Sequence, residues 1–333
     1  MSDEQIGVLT ESVLDFGRGE YLSGVLTRFD AAGAASAAAI GSTASTAGGP
    51  GVLLLNAGVV SRSGPHRFNV KLARALARQG LPVLRFDVSG KGDSGTAADA
   101  LPYPQQVTHD IVCAIEAMHS VVGIESVLIV GLCSGANQGW AAALVDSRIV
   151  GLVMIDSFAY PTRRTLLEYH RRRIRLRGAC ENLSRAARSV GYVGGYLLKV
   201  LSGAIKRDDV SPNEPALGDD TRLPLSEYAK GMQRLVDRGV SLFLVYTGSW
   251  SRHYSYPEQF SDRFGLYPFA TQVQCEYLPQ LDHTLTLVAT QQATIRLIGS
   301  WIERVRHRRT RTDVTRQMPS MPARPSTPLV LGR

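Results

Sequence analysis

The chain has 333 residues, of which 44% are hydrophobic and 20% are charged, and this composition suits a globular protein with one large core or two modest ones. No stretch reaches the roughly 18 continuous apolar residues of a membrane-spanning helix, which excludes a membrane span. The net charge of +8 lies almost wholly in residues 304–333, where eight arginines accompany a single acid, and the rest of the chain carries only +1. This uneven distribution argues against a nucleic-acid-binding protein.

The N-terminal residues and the cysteines indicate the cellular setting. The opening stretch MSDEQIGVLTES contains acids and no long apolar run, so we expect no signal peptide. The four cysteines are Cys113, Cys133, Cys180 and Cys275, and their spacing does not match a metal site. Free thiols suit a reducing compartment, so the sequence predicts a cytoplasmic protein without metal or cofactor.

The first fifty residues predict a hairpin and a loop. Two β-like runs, VLTESVLDF and YLSGVLTRF, are separated by Gly-Arg-Gly-Glu, which is typical of a tight connection between antiparallel strands. Residues 31–50 are rich in Ala, Ser, Thr and Gly and predict an exposed loop.

From residue 51 onward, apolar strands alternate with helical patterns. The predicted elements are, in chain order, the strand GVLLLNAG, the helix VKLARALARQG, the strand PVLRFDVSG, the helix VTHDIVCAIEAMHSVVG, the strand SVLIVGLC, the helix SGANQGWAAALV and the strand VGLVMIDSFAY. Later in the chain SLFLVYTG predicts another strand and QATIRLIGSWIERVRHR a closing helix. This alternation predicts an α/β protein whose mostly parallel sheet has helices on both faces.

The alternation stops between residues 161 and 238. This region contains helix-like pieces, many arginines and the loop-rich stretch DDVSPNEPALGDDTRLP, and we interpret it as a helical cap inserted after the sixth strand. The basic C-terminal region is also rich in Pro, Ser and Thr, which is typical of disorder. The predicted division is a core formed by residues 1–160 and 239–305, a cap at 161–238 and a tail at 306–333.

One short stretch carries the strongest chemical signal. Gly131-Leu132-Cys133-Ser134-Gly135 lies between a strand and a helix, as in a nucleophile elbow, whose usual pattern G-x-S-x-G has serine at its centre. Two glycines allow the strand and helix to approach closely, and a helix N-terminus stabilises a thiolate. We therefore predict that Cys133 is the nucleophile. A buried, inert cysteine is one alternative, and Ser134 as the nucleophile is another.

A base and an acid are expected further along the chain. His283, in LPQLDHTLT, follows the strand-like run QVQCEYLPQ, where the histidine of such a site comes last in the order nucleophile, acid, histidine. Its neighbour Asp282 is interpreted as part of the loop structure. Asp156 is the favoured acid because it ends an apolar strand, at the ligand-binding edge of a parallel sheet. The open alternatives are Glu258, ten residues beyond Gly248, and a site without an acid.

Backbone N–H groups near the elbow predict an oxyanion hole. The Ser134 N–H is one expected donor, and its side chain is expected to point away from the site. The other donor is expected from the loop after the strand GVLLLN, at Ala57, Gly58 or Val59. Three basic residues follow this loop and suit either substrate contact or a solvent-exposed face: Arg62, His66 and Arg67.

An arginine cluster in the predicted cap is the main indication of the substrate. Its members lie within fifteen positions: Arg163, Arg164, Arg171, Arg172, Arg173, Arg175 and Arg177. They cannot all share one helix face, so part of the cluster is expected to face solvent. The others, with Arg163 and Arg164 as candidates, could bind phosphate or carboxylate groups. A thioester of coenzyme A or of an acyl carrier protein would fit this charge.

Four stretches, in this order, resemble the α/β-hydrolase superfamily: NAGVVSRSGPHRFNVKLARALARQG, LRFDVSGKGDSG, VGLCSGA and LDHTLT. More narrowly, they resemble the serine-aminopeptidase-like hydrolases, including those found beside exosortase systems. The resemblance covers about residues 8–305 and implies the α/β-hydrolase fold, with Asp87 as a structural aspartate that shapes turns. Serine is usual at the elbow of these proteins, and dienelactone hydrolases are similar to this chain in having cysteine there.

These features predict a hydrolase that cleaves a small-molecule ester or thioester through an acyl-cysteine intermediate. An acyltransferase or cyclising thioesterase that uses the same Cys-His-Asp site is one alternative. A non-catalytic binding protein with a hydrolase fold is another alternative. A peptidase is suggested only by the name of the serine-aminopeptidase-like family. We expect no nucleic-acid partner, and a homodimer remains open.

Overall fold

A central β-sheet organises the structure, a computed structural model that describes residues 7–31, 49–177 and 223–317. Its strands are β1 Gly7–Phe16, β2 Leu22–Ala31, β3 Gly51–Leu55, β4 Val83–Phe86, β5 Val127–Leu132, β6 Ile149–Ile155, β7 Ser241–Thr247 and β8 Val273–Leu278. The helices are α1 Phe68–Ala77, α2 Tyr103–Val122, α3 Ser134–Val145, α4 Arg163–Arg177, α5 Leu225–Asp237, α6 Gln259–Phe264 and α7 Val288–Gln317. Short 3-10 turns occupy Pro65–Arg67, Gly248–Trp250 and Pro268–Gln272.

The sheet is mostly parallel, as the sequence predicts. Its strand order is β1-β2-β4-β3-β5-β6-β7-β8. β1 and β2 form the predicted hairpin, with Gly17 and Gly19 at positive φ in the turn, and β2 also runs antiparallel to β4. All other neighbouring pairs are parallel. The carboxyl ends of β3, β5, β6 and β7 therefore lie at one edge, where such sheets bind ligands.

Helices cover both faces of the sheet, which confirms the predicted fold class. In β3, Leu53 and Leu55 belong to the hydrophobic cluster that includes residues of α2, α3 and α5, whereas Val52 and Leu54 belong to the cluster with α1 and α7. The side chains alternate because successive residues of a strand point to opposite faces. Burial on both sides explains why the strands read as nearly continuous apolar runs.

The predicted cap is only partly described, and one of its helices packs on the core. In α5, a carbon in place of the Gly231 α-hydrogen would lie 2.2 Å from the Trp140 ring on α3, and Tyr228 stacks on the same ring at 5.8 Å. Tyr228, Met232 and Leu235 recur at helical spacing and are fully buried. The part of the predicted cap formed by α5 thus packs against the helical layer on the sheet. Residues 178–222, including Cys180, lie outside the described part.

The closing helix extends beyond the segment that the sequence predicts as helical. Trp301 on α7 stacks on Phe243 of β7, with ring centroids 5.7 Å apart, and anchors the predicted segment. The helix then continues to Gln317, so residues 306–317 are helical although the sequence predicts a disordered tail from residue 306. Residues 318–333 lie outside the described part. Among the described helices, none has the length and apolar character that crossing a membrane requires.

Candidate active site

Cys133 occupies a strained position between β5 and α3. Its backbone adopts φ 55° and ψ −120°, a region that residues with side chains rarely enter, and its N–H donates to the Ile155 carbonyl at 2.8 Å. A Cβ atom at Gly131 would lie 2.5 Å from the Gly135 carbonyl oxygen, and a Cβ atom at Gly135 would lie 2.5 Å from the backbone carbonyl oxygen of Asn56. Both glycines are therefore required by the close approach of strand and helix, as the sequence predicts.

The histidine and one of the two candidate acids are in direct contact. His283 Nδ1 lies 2.7 Å from Asp156 Oδ2, and the Asp156 side chain is completely buried beyond the end of β6. Glu258 lies elsewhere, because its half-exposed carboxylate pairs with Arg164 at 3.3 Å. The structure thus brings Asp156 and not Glu258 to the imidazole.

A threonine that the sequence analysis missed holds the Asp156 carboxylate. The Thr247 N–H donates to Oδ1 and the Thr247 hydroxyl donates to Oδ2, each at 2.7 Å. Together with His283 they give the buried carboxylate three donors, which compensates for its loss of water. A polar residue at the end of the apolar strand SLFLVYT was the available signal.

Trp250 fixes the His283 ring from its face. The two rings stack at 5.1 Å between centroids with planes 10° apart. Trp250 belongs to the turn directly after β7, where the sequence offers no carboxylate. This turn therefore contributes to the site with an aromatic surface, which the sequence analysis also missed.

Two hydrogen bonds determine the protonation of His283. They raise its pKa to about 10, first through the Asp156 carboxylate and then through the side chain of Cys133, and burial opposes the shift. Because Nδ1 bonds Asp156, Nε2 remains for the thiol. With this pKa the His283 ring is protonated at neutral pH.

The predicted oxyanion donors lie close together, but one of them is already engaged. We call Ala57, Gly58 and Val59 the oxyanion loop. The Gly58 N–H donates to Ser134 Oγ at 2.7 Å, and Gly58 has φ 55°. The sequence predicts that the Ser134 side chain points away from the site, yet it contacts this loop. Val59 is 89% exposed.

Arg62 forms ion pairs with two acidic side chains of the protein. Its guanidinium pairs with Asp87 and Asp93, and its N–H donates to Asp87 Oδ1 at 2.6 Å. Asp87 is fully buried and also accepts from Asn56 Nδ2 at 3.0 Å. Asp87 thus joins the loops after β3 and β4, in agreement with a turn-shaping role, and the Arg62 guanidinium takes part in this junction.

The other basic candidates do not form a common anion site in the described residues. His66 and Arg67 are exposed in left-handed backbone conformations, with φ 49° and 61°. Arg163 is exposed, and Arg164 packs over the Tyr256 ring at 4.2 Å beside its two carboxylate partners. The side chains of the last three cluster members lie outside the description: Arg173, Arg175 and Arg177.

Arg172 has a different role from the one its charge suggests. Its guanidinium donates to the Tyr277 hydroxyl at 3.1 Å and to the Gly248 and Pro279 carbonyls, each at 3.4 Å. These groups belong to β8 and to the loops that lead to Trp250 and His283. Arg172 therefore anchors α4 beside the candidate base.

Comparison with known proteins agrees with this architecture. A family profile described as alpha/beta hydrolase fold matches residues 48–185. This chain has the α/β-hydrolase fold. An esterase from Pyrococcus furiosus is 12% identical, with 89% of this chain and 93% of that chain covered at a TM-score of 0.50.

Two further solved structures illustrate the breadth of the likeness. Dienelactone hydrolase from Anabaena variabilis is 13% identical, with 89% of this chain and 98% of that chain covered and a TM-score of 0.45. Alpha/beta hydrolase domain-containing protein 10 from mouse is 16% identical, with coverages of 89% and 99% and a TM-score of 0.45. No curated protein matches the chain. At these identities the likeness concerns the fold alone.

The three groups follow the carboxyl ends of three parallel strands of the sheet. Cys133 follows β5, Asp156 follows β6 and His283 follows β8. Asp282 accepts hydrogen bonds from the Thr284 and Thr286 N–H groups and so shapes the His283 loop, as the sequence suggests. Within residues 7–31, 49–177 and 223–317, no cluster of three or more potential metal ligands is found.

The His283–Asp156 pair predicts a pH-dependent contribution to stability. The folded state raises the pKa of His283 from its ordinary 6.5 to about 10, so folding favours the protonated ring. The contribution is complete below about pH 6.5 and is lost as the pH rises toward about 10. A Cys133→Ala background removes the titration of the thiol and keeps Asp156, the largest cause of the shift.

Urea unfolding can measure this contribution. The free energy of unfolding of Cys133→Ala is expected to exceed that of Cys133→Ala/His283→Gln by a constant amount at acidic pH. This difference should shrink as the pH rises above about 6.5. A difference that grows over the same range would contradict the assigned pair.

Proposed function

We propose that this α/β-hydrolase-fold protein cleaves an ester or thioester through a covalent acyl-Cys133 intermediate. The observation that carries the proposal is the 2.7 Å contact of His283 with the buried Asp156 carboxylate, in a ring whose pKa the Cys133 side chain also raises. A thiol on a strained elbow, a base and a group that orients the base are the three parts of a nucleophilic site.

The proposed reaction starts from the state in which the thiol proton already lies on His283 Nε2, in keeping with the raised pKa of about 10 of this ring. The thiolate attacks the acyl carbonyl carbon, and the carbonyl oxygen becomes an oxyanion that accepts from the Ser134 N–H at the start of α3. The tetrahedral intermediate collapses, the bond to the leaving oxygen or sulfur breaks, and His283 returns the proton to that atom. Asp156 keeps the imidazole in the required tautomer throughout.

The acceptor of the acyl group decides between hydrolysis and transfer. For hydrolysis, His283 takes a proton from water, hydroxide adds to the thioester carbonyl, and Cys133 leaves as a thiolate. An amine can take the place of water, because a thioester reacts readily with amines. The non-catalytic alternative loses its main support, since Asp156 fills the role of the acid that is lacking after β7.

The proposed substrate does not need to carry a phosphate group. Three of the four arginines of the cap cluster whose side chains are described already have partners in the protein: Arg164, Arg171 and Arg172. Among the described side chains of α4, Arg164 and Arg172 thus tie the helix to neighbouring elements. A small acyl ester or thioester fits the site without an anionic carrier, and coenzyme A or a carrier protein remains a variant of the same proposal.

A burst experiment tests the proposed function. With p-nitrophenyl acetate in excess, we expect rapid release of about one equivalent of p-nitrophenolate per chain, followed by slower turnover. Intact-protein and peptide mass spectrometry should locate one acetyl group on Cys133. Addition of a primary amine then distinguishes transfer from hydrolysis by the product formed, amide or acetate. Absence of both the burst and the adduct would refute the proposal.

A further inference from the structure

The side chain of Ser134 has a position that the reaction described above does not use. Its hydroxyl oxygen accepts the Gly58 N–H at 2.7 Å and is half-buried directly after the candidate nucleophile. The hydroxyl therefore lies where the oxyanion loop meets the N-terminus of α3. These are the two places that the fold offers for oxyanion donors.

A ring of hydrogen bonds holds this contact. Lys91 Nζ donates to the Gly58 carbonyl and to the Tyr103 hydroxyl, each at 2.7 Å, and Gln138 Nε2 donates to the same hydroxyl at 3.2 Å. Gln138 lies one turn after Ser134 on α3. The ring thus begins and ends on one helix, and both peptide groups of Gly58 are fixed by it.

The direction of these bonds leaves one hydrogen available. Because the Gly58 N–H is a donor, the Ser134 oxygen must be the acceptor, and the hydroxyl hydrogen is left to donate elsewhere. Over the described ranges 7–31, 49–177 and 223–317, no protein acceptor receives that hydrogen. A hydroxyl that accepts one hydrogen bond becomes a better donor of the next, because the chain polarises cooperatively.

We infer that the Ser134 hydroxyl is a catalytic oxyanion donor, which rests on the proposed acyl transfer to Cys133. The developing oxyanion accepts one hydrogen bond from the Ser134 N–H and a second from the Ser134 hydroxyl. The hydroxyl keeps its proton, so no covalent bond of Ser134 changes. Gly58 acts one step behind as a positioning residue, by orienting the hydroxyl through its N–H.

The opposite role for Ser134 gives the opposite kinetics. If its oxygen merely occupies the place of the substrate carbonyl, removing the hydroxyl frees the Gly58 N–H to bind the oxyanion, and acylation becomes faster. If the hydroxyl is the donor, removing it slows acylation. The sign of the effect therefore separates the two roles.

The experiment compares two reactions of the same thiol in the full-length protein. Acetylation of Cys133 by p-nitrophenyl acetate forms an oxyanion, whereas alkylation by iodoacetamide displaces iodide at a saturated carbon and forms none. For Ser134→Ala we expect the acetylation rate constant to fall by about 10²-fold. The alkylation rate constant should stay at the wild-type value.

Matched variants keep the result interpretable. Thr and Val have the same shape, so Ser134→Thr should acetylate much faster than Ser134→Val because only threonine carries a hydroxyl. Ser61→Ala, which removes a hydroxyl bonded to Ser63 in the neighbouring turn at 2.8 Å, should leave both rates unchanged. Acetylation that is equal or faster in Ser134→Ala overturns the inference, as does an equal loss of acetylation and alkylation. Failure of the proposed function is distinguishable, because the wild-type protein itself would then resist acetylation.

Discussion

Replacing Cys133 by alanine is expected to abolish turnover of p-nitrophenyl acetate. Loss of the nucleophile should lower kcat by on the order of 10⁴-fold or more, since only binding and the oxyanion donors remain. The variant should fold normally, because alanine keeps the Cβ atom and the strained backbone of the elbow. Steady-state kinetics and a thermal melt measure the two effects, and turnover that survives in this variant would exclude Cys133 as the nucleophile.

Cys113 provides a matched control for this result. Its sulfur lies 3.7 Å from Nδ1 of His109, so it too is a thiol beside an imidazole, but it lies on a helix without an elbow. Burial raises the pKa of Cys113, and burial raises that of Cys275 to about 12, so both thiols are neutral at physiological pH. Brief iodoacetamide treatment should therefore label Cys133 ahead of Cys113 and Cys275, and Cys113→Ala should keep full activity.

The second large effect is expected for Asp156→Asn. The amide can no longer hold the imidazole with Nδ1–H toward it and Nε2 toward the thiol, so kcat should fall by between about 10² and 10⁴-fold. The lower figure applies if the thiol ionises without much help from the base, since cysteine depends less on its acid than serine does. Burst kinetics with p-nitrophenyl acetate measure this fall directly.

Glu258→Gln is the control for the Asp156 assignment. This substitution removes the other carboxylate that the sequence offers and breaks only a half-exposed ion pair with Arg164, so activity should remain close to wild type. Full activity in Asp156→Asn together with loss in Glu258→Gln would reverse the assignment. A melt of both variants separates catalysis from folding, because Asp156 also accepts two hydrogen bonds from Thr247.

Local sequence signals predicted much of this molecule. The buried strands were visible as apolar runs, and the elbow was visible from its two glycines. These glycines are needed because the structure leaves no room for a Cβ atom at either position. Such features depend on residues close together in the chain, so the local sequence is enough to predict them. The candidate order of Cys133, Asp156 and His283 was also readable, because the fold fixes which strand ends share an edge.

The contacts between distant segments could not be read in the same way. Thr247 was visible as a polar residue at the end of an apolar strand, but the sequence does not show that it bonds Asp156 or that Trp250 stacks on His283. Charge alone does not reveal the protein partners of Arg62 and Arg172, since a guanidinium suits a substrate anion and a protein acceptor equally well. The sequence analysis placed α5 in the predicted cap without assigning its bounds, and its packing on α3 depends on the fit between Gly231 and Trp140.

The hydrogen bond between His283 and Asp156 also has a meaning for how the chain folds. It joins residues 127 positions apart, and the intervening chain supplies β7, β8 and several helices. Closing so long a loop costs entropy that is recovered only when the strands between have found their register. We therefore expect the pairing of His283 with Asp156 to be among the last events in folding. Early collapsed states with native-like helices should be inactive. The appearance of activity should then mark completion of the sheet.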